Sequence, residues 1–478
     1  MPKLNLFTKI SYGIGQAGEG IKNTAFEAFL FFYYNQVLGV SATKAGAATL
    51  IALVFDAFID PLLGSLSDSL RSRWGRRHPF MYLGAAPFGV MLYLLFAPPQ
   101  GLSENGLFLW LAGFAIAVRA SMSVYLIPHN ALGAELTADY HERTSIGGWR
   151  LLFGFTAGFI AIVVGYGYYF RNTEAVPYGL GVQAAYPRFA ACFAVISSIA
   201  VLWSALGTHS RIRYLVEPVR MHERFTPRRL FVEVAEALRS DSFRALFVGT
   251  LVFFVTRGVQ TTLGNYMGLH FWGISSQQIA VLGTASFAGL VAGLGFFGRV
   301  SRRYDKKPTF MIGVVIFSVF VVAGPVLKLA GIWPAREDER LYLGLLALFN
   351  FLASFGGAAA LITATSMMAD LADEHEFDTG RRQEGIFFGA LAFSGKASAG
   401  LGHGIAGVAL DWIGFPESAT PGTVAPEIVR HLGILYGPGT VLVLALGVVY
   451  FARYHLSAAR VSEMQKVLEQ RRAALGGS

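Results

Sequence analysis

The sequence is poor in charge and almost empty of cysteine. Of its 478 residues 39 are basic and 30 acidic, 14% together, where soluble domains carry about 25%. A chain so thinly charged cannot coat an aqueous surface of this size, which argues against a soluble enzyme. Its single cysteine, Cys192, excludes an intramolecular disulfide and any metal centre built on several thiolates. A signal-peptide layout is also missing, because the first apolar stretch is long and is broken by Glu19 and Lys22. The expectation is a chain mature from residue 1. H-E-x-x-H, P-loop and G-x-S-x-G motifs are likewise not found.

What is present is apolar. Hydrophobic residues make up 54% of the chain, the mean hydropathy is +0.50, and apolar runs reach membrane-spanning length throughout. This predicts a polytopic, all-α membrane protein. The net charge of +9 sits in short loops and not on a basic face with interleaved aromatics, so it reads as membrane topology and not as nucleic-acid binding.

Twelve candidate spans lie near 10–38, 43–66, 80–98, 106–132, 149–170, 187–208, 243–269, 277–300, 308–331, 341–369, 385–412 and 433–455. One set of alternate loops collects Arg71, Arg73, Arg76, Arg77, Arg143, Arg299, Arg302, Arg303, Lys306, Lys307, Arg381 and Arg382, and the other set holds few. The positive-inside bias then puts both termini and the central loop in the cytoplasm. The expected domains are a six-helix bundle over 1–209, a cytoplasmic linker over 210–242, a second six-helix bundle over 243–455 and a cytoplasmic tail over 456–478. In the linker Leu230, Val234, Ala237 and Leu238 recur at helical spacing opposite Glu233, Glu236 and Arg239, the pattern of a surface-lying amphipathic helix or of a solvated linker helix. Leu456, Met464, Val467 and Leu468 repeat it in the tail.

The halves echo each other. Gly64-Ser-Leu-Ser-Asp68 and Arg76-Arg77-His78-Pro79-Phe80 follow the second span; Gly298, Arg302-Arg303 and Lys306-Lys307-Pro308-Thr309-Phe310 follow the eighth. Glu135, Asp139, Glu142 and Arg143 after the fourth span answer to Asp370, Asp373, Glu376 and Arg381-Arg382 after the tenth. Two repeated bundles joined by a basic loop are the architecture of many secondary transporters, which bind substrate between the halves near mid-membrane.

A charge inside an apolar span costs about 2.5–3.5 kcal/mol at the helix centre, so each is a functional candidate. The candidates are Glu19, Lys22, Glu27, Asp56, Asp60, Arg119, Arg150, Arg257 and Lys396. Asp56 and Asp60 are four apart and project from one helix face. Two carboxylates so close in low dielectric need a compensator: a bound Na⁺ or Li⁺, a proton, or a nearby lysine. That is the physics of a coupling-cation site, and its alternative is a static ion pair with Lys396 or Lys22. Pro61 should loosen the helix and free carbonyls as further ligands. Glu19, Lys22, Asn23 and Glu27 form one polar stripe, facing either a water-filled cavity or another helix. Cations outnumber carboxylates in this set, which favours an anionic or strongly hydroxylated substrate; Arg119 and Arg257 read equally well as structural ion pairs. Phe32, Tyr33, Tyr34, Tyr125, Tyr266 and Trp272 are packing residues more often than ring-stacking ones, and His270 and His403 are expected as hydrogen-bonded structural histidines. Gly13-Ile-Gly15-Gln-Ala-Gly18 matches G-x-G-x-x-G but lies inside a span, with no preceding strand, so its glycines are expected to permit close helix approach.

On these residues the chain resembles a known family. Ser11-Tyr12-Gly13-Ile14-Gly15, Tyr33-Tyr34, Phe55-Asp56-Ala57-Phe58-Ile59-Asp60-Pro61-Leu62-Leu63-Gly64 and Arg71-Ser-Arg-Trp74-Gly75-Arg76 look like the glycoside–pentoside–hexuronide cation symporters, the melibiose permease group of the major facilitator superfamily. Arg73-Trp-Gly-Arg-Arg-His-Pro-Phe80 is also similar to a loop of plant-type sucrose transporters, and Asp-x-x-x-Asp-Pro to an element of animal lysolipid transporters. The resemblance implies a cation site at Asp56 and Asp60 with Ser123 as neighbour, and functional roles for Arg150 and Lys396. The melibiose permease has an asparagine where this chain has Ile59, which bears on Na⁺ selectivity. Its two galactoside-binding carboxylates fall on Gly20 and Leu126 and its stacking tryptophan on Asn130, so the galactoside pocket is not preserved. Glu19, Asn23, Glu27 or Asn130 are expected to supply other polar contacts to substrate.

The resulting expectation is a twelve-helix major facilitator fold in two six-helix bundles. It is a transporter and not an enzyme, working by alternating access and coupling inward Na⁺ or H⁺ movement to uptake of a sugar or glycoside, anionic ones included. Asp68, Arg73, Arg76, Arg77, Glu135, Asp139, Glu142 and Arg143 are expected as cytoplasmic charge pairs that gate it. The second reading is a cation-coupled carrier of a lysophospholipid or similar amphiphile; a passive channel or a receptor forms a third class, which uphill accumulation would separate. No cofactor is expected beyond the coupling ion, with Li⁺ a further candidate. The partners are a small-molecule substrate and the bilayer of the cell's inner membrane, with no nucleic acid; the resemblance implies a monomer.

Overall fold

The structure, a computed structural model, describes residues 3–137, 139–215, 235–380 and 384–476. Most of the linker, including Arg220, Arg224, Arg228, Arg229, Leu230, Glu233 and Val234, and the loop residues Arg381 and Arg382 lie outside the described residues, and with them the amphipathic linker helix. Every regular element described is helical. The first half holds α1 (Leu6–Ile14), α2 (Gln16–Thr24), α3 (Ala42–Ser69), α4 (His78–Leu95), α5 (Glu104–Glu135), α6 (Tyr140–Val164) and α7 (Ala185–Thr208). The second holds α8 (Asp241–Tyr266), α9 (Ser276–Arg303), α10 (Lys306–Leu329), α11 (Glu339–Thr379), α12 (Glu384–Trp412), α13 (Pro426–Ile434), α14 (Thr440–Phe451) and α15 (Ala458–Gly476).

Ten of the described helices are long and apolar enough to cross a membrane, and they coincide with ten of the twelve expected spans. The first expected span is delivered in pieces, α1, α2 and two wide π-type turns at Ala25–Leu30 and Tyr33–Val37; the eleventh coincides with α12. Helix starts follow local chemistry. Pro79 sits in the first turn of α4, where its missing N–H is no loss. Ser103 caps α5 by accepting from the Gly106 amide at 3.2 Å. At the far end of α11, Gly380 closes the helix at φ +70°. Pro61 lies inside α3, which is continuous from Ala42 to Ser69, since one forfeited backbone bond in a packed helix leaves the rest of the ladder in place.

The chain folds into two compact units. The first comprises the described residues before 216 together with Gly264–Ala280 and His403–Val424. Its helices seat at glycines, as expected of the glycine-rich first span: a Cβ on Gly20 would lie 2.0 Å from the Gly154 carbonyl oxygen of α6, and one on Gly15 2.7 Å from Ser204 Cβ of α7. Around them rings interlock, with Tyr33 stacked on Tyr186 at 4.2 Å. The expected aromatic candidates Phe32, Tyr33, Tyr34, Tyr125, Tyr266 and Trp272 are all buried there as packing residues. Tyr34, for one, donates to the Leu95 carbonyl at 2.7 Å.

The second unit comprises residues 235–263, Val281–Gly402 and the described residues from Ala425 onward. Its core gathers Phe253, Phe310, Phe317, Met367, Leu444 and Phe451. The tail helix α15 belongs to it. Leu456, Met464 and Leu468 are buried while Gln465 and Arg471 bond to Asp373 and to the Phe377 carbonyl of α11, so the apolar stripe of the tail covers protein.

Candidate functional site

Buried side chains of α3 recur at helical spacing, Ala45, Ala48, Ala52 and Asp56, while Val54, Phe55, Phe58 and Leu62 are exposed. That periodicity carries a carboxylate into the interior. Asp56 is 2% exposed and Asp60, one turn on, is half-buried. The facing stretch of α5 presents Arg119 and Ser123, four apart and both buried. Arg119 Nη1 donates to Asp56 Oδ2 at 3.1 Å and Ser123 Oγ to Asp56 Oδ1 at 3.3 Å. The guanidinium lies over the Phe26 ring, 5.3 Å from its centroid. The compensator of Asp56 is therefore an arginine, where the carboxylate spacing predicts a small cation, a proton or a lysine.

The polar stripe of the first span divides. Glu19 and Lys22 form a buried ion pair at 3.0 Å, which spends Lys22 locally. Asn23 is exposed, and Glu27 is half-buried inside the first π-type turn. Arg150, half-buried on α6, has neutral partners: its Nε donates to Gln16 Oε1 at 3.3 Å and its Nη1 to the Tyr12 hydroxyl at 3.5 Å. Asn130 is exposed near the end of α5. In the second unit, Lys396 on α12 and Arg257 on α8 are half-buried, and no described carboxylate pairs with Arg257. The arginines that read alike in sequence thus part ways: Arg119 is in an ion pair, and Arg257 has none among the described residues.

The histidine expectation is corrected. Both ring nitrogens of His403 and of His270 are buried without a hydrogen bond. The rings are held by aromatic neighbours instead, His403 by Phe31 at 5.5 Å and His270 by Phe415 at 5.1 Å.

Of the expected charge pairs, four residues converge in the first unit. Arg77 Nη2 reaches Asp68 Oδ1 at 2.5 Å and Glu135 Oε1 at 2.8 Å, and its Nη1 donates to Ser67 Oγ at 2.6 Å. Arg76 joins Glu135 at 2.8 Å. The other four do different work. Arg73 lies over Trp74 at 5.5 Å. Arg143 donates to the Thr137 carbonyl at 2.9 Å. Glu142 accepts from the Leu4 amide and from Thr137 Oγ1 and lies 3.6 Å from Lys9. Asp139 caps α6, accepting from the Glu142 amide at 2.8 Å, and this bond holds its carboxyl below the ordinary aspartate range. In the second unit the repeat gives Lys306 Nζ on Asp370 at 2.6 Å, and Lys307 Nζ on the carbonyls of Ala452 and Tyr454, each at 2.7 Å.

One set of polar residues was missed altogether. In the first unit Tyr166 donates to Asn265 Oδ1 at 2.6 Å, and Asn265 Nδ2 to the Ala28 carbonyl at 2.6 Å. Tyr266 donates to Asn35 Oδ1 at 2.6 Å. Gln36 bonds both ways with the 416–419 loop, through the Pro416 carbonyl and the Ala419 amide. These amides carry no charge, so a search for charges in apolar spans passes over them.

Residues 11–458 match the family described as MFS/sugar transport protein. A putative glycoside/cation symporter of Escherichia coli is 26% identical, over 100% of this chain and 97% of its own. A putative sulfoquinovose importer of Salmonella typhimurium is 24% identical over 98% of this chain and 94% of its own. Among solved structures, the nucleoside transporter NupG superimposes with a TM-score of 0.63 at 12% identity, over 93% of this chain and 98% of that one, a likeness of fold.

Proposed function

The chain belongs to the MFS/sugar transport protein family and is a multi-pass, cation-coupled membrane symporter, not an enzyme; from that premise we propose that its substrate is a sugar or glycoside bearing negative charge. The observation that supports this reading is the charge balance of the membrane cations. Lys22 and Arg119 have carboxylate partners, whereas Arg150 meets only neutral oxygens and Arg257 meets no described carboxylate. The planar fork of donors of a guanidinium in low dielectric gains most from a carboxylate, sulfonate or phosphate. Glu19, Asn23, Glu27 and Asn130 are the groups proposed to contact the hydroxylated part, with Arg150 and Lys396 linking substrate to the cation locus. Asp56, Asp60 and Ser123 form that locus, for Na⁺ or H⁺. The same reading has the protein in the inner cell membrane as a monomer with both termini cytoplasmic.

The test is uptake into proteoliposomes under imposed Na⁺ or H⁺ gradients, with neutral sugars, uronides, sulfonated sugars and lysophospholipids as competitors. Competition by anionic sugars, and at least a tenfold loss of uptake in Arg150→Gln with neutral competitors unaffected, is the expected result. Displacement by lysophospholipids alone would replace this reading with the amphiphile carrier.

A further inference from the structure

The buried Asp56–Arg119 pair says more about the coupling ion than the carboxylate spacing does. We propose that Arg119 is a tethered counter-cation occupying the alkali-ion position of Asp56, so that Asp56 takes no Na⁺ or Li⁺ in this chain and Arg119 sets which ion the transporter uses. The inference rests on the cation-coupled reading above and narrows it.

Both oxygens of Asp56 are already engaged by donors fixed to α5, Oδ2 by Arg119 at 3.1 Å and Oδ1 by Ser123 at 3.3 Å. The arginine is 5% exposed and the aspartate 2%, so neither has bulk water to fall back on. Unlike a lysine, a guanidinium does not deprotonate in a protein and supplies its positive charge at every working pH. A small cation arriving at Asp56 would have to displace the guanidinium from the carboxylate it pairs with, and its Nε is already buried without a hydrogen bond. Leaving a buried charge unpaired is among the most destabilising changes available to a protein, so the tethered ion outcompetes the free one. Packing restrains it further, because the guanidinium rests on the Phe26 ring. The coupling ion is left with the remainder of the locus, one turn along α3.

Thermal unfolding of the purified full chain at fixed pH, in choline, sodium or lithium chloride at matched ionic strength, tests this without any substrate. Wild type is expected to show no alkali shift that Asp56→Asn removes. Arg119→Gln should melt lower in choline and be raised saturably by Na⁺ or Li⁺, and Arg119→Gln combined with Asp56→Asn should lose that response. Arg119→Lys, which keeps a tethered charge, should fold without an alkali response. An alkali shift in wild type that Asp56→Asn abolishes overturns the proposal, as does a cooperatively melting Arg119→Gln that ignores all three salts. Should Arg119→Gln not be recovered folded in choline, recovery in sodium supports the proposal and failure in both overturns it. The symport reading fails separately, if no cation gradient drives uptake in proteoliposomes.

Discussion

The same position in the two repeats is built in two ways. In the first unit a buried Arg77, 6% exposed at its side chain, serves Asp68, Glu135 and Ser67 at once, and Arg76 covers Glu135 a second time. In the second unit Lys306 serves Asp370 alone, and Lys307 turns to backbone carbonyls. The buried member also switches sign: at the first position it is the cation, and at the second it is Asp370, 7% exposed against 27% for Lys306. A planar fork can tie the ends of α3, α4 and α5 together, while an ammonium is a point charge that holds one partner. The first position is therefore redundant and the second brittle.

Removing side chains should expose that difference. The largest effect is expected from Arg76→Ala with Arg77→Ala, which strands Glu135; the pair should cost about 4 kcal/mol, more than the sum of the singles, near 1 kcal/mol each, because either arginine alone keeps Glu135 paired. Lys306→Ala, a single change, should cost about 3 kcal/mol by stranding the buried Asp370. Apparent melting temperatures of the purified variants check both, and additive arginine variants would break the comparison. Next come the swaps: Arg77→Lys should cost about 1 kcal/mol through loss of the fork, and Lys306→Arg under about 0.5 kcal/mol, since one carboxylate is equally served by either cation. The smallest effect concerns acid. Asp139 is held below the ordinary aspartate range by the Glu142 amide, so its contribution is present above about pH 4 and is lost as pH falls through its depressed value. A melting-temperature profile against pH should show a shallower acid limb in Asp139→Ala than in wild type.

Much of this was legible in the sequence. The spans follow from apolar runs, the repeat from paired basic loops, and Asp56 from the cost of a carboxylate in a span. The partner of Asp56 was not legible: Arg119 lies 63 residues away in the chain, and it meets Asp56 through the packing of α5 on α3. The same holds for Lys22, which a neighbour one turn away, Glu19, takes first. Arg73 and Arg143 read like Arg76 and Arg77, but only the latter pair faces Glu135. The amide network escaped because burial of an uncharged amide is cheap once partnered. A signal for it did exist, since Asn35 and Asn265 stand at the same separation in the chain as Arg76 and Lys306.

The wide turns beside those amides fix their aim. Tyr33–Val37 and Met267–Phe271 are both π-type, and each such turn carries one residue more than the α-helix around it would need. Because successive residues of an α-helix point about 100° apart, deleting a single residue within 33–37 would swing Asn35 and Gln36 away from Tyr266 and from the 416–419 loop while leaving their chemistry untouched. Length at these two turns is thus inherited information in its own right: substitutions there can be conservative, but insertions and deletions rewrite which helix faces which.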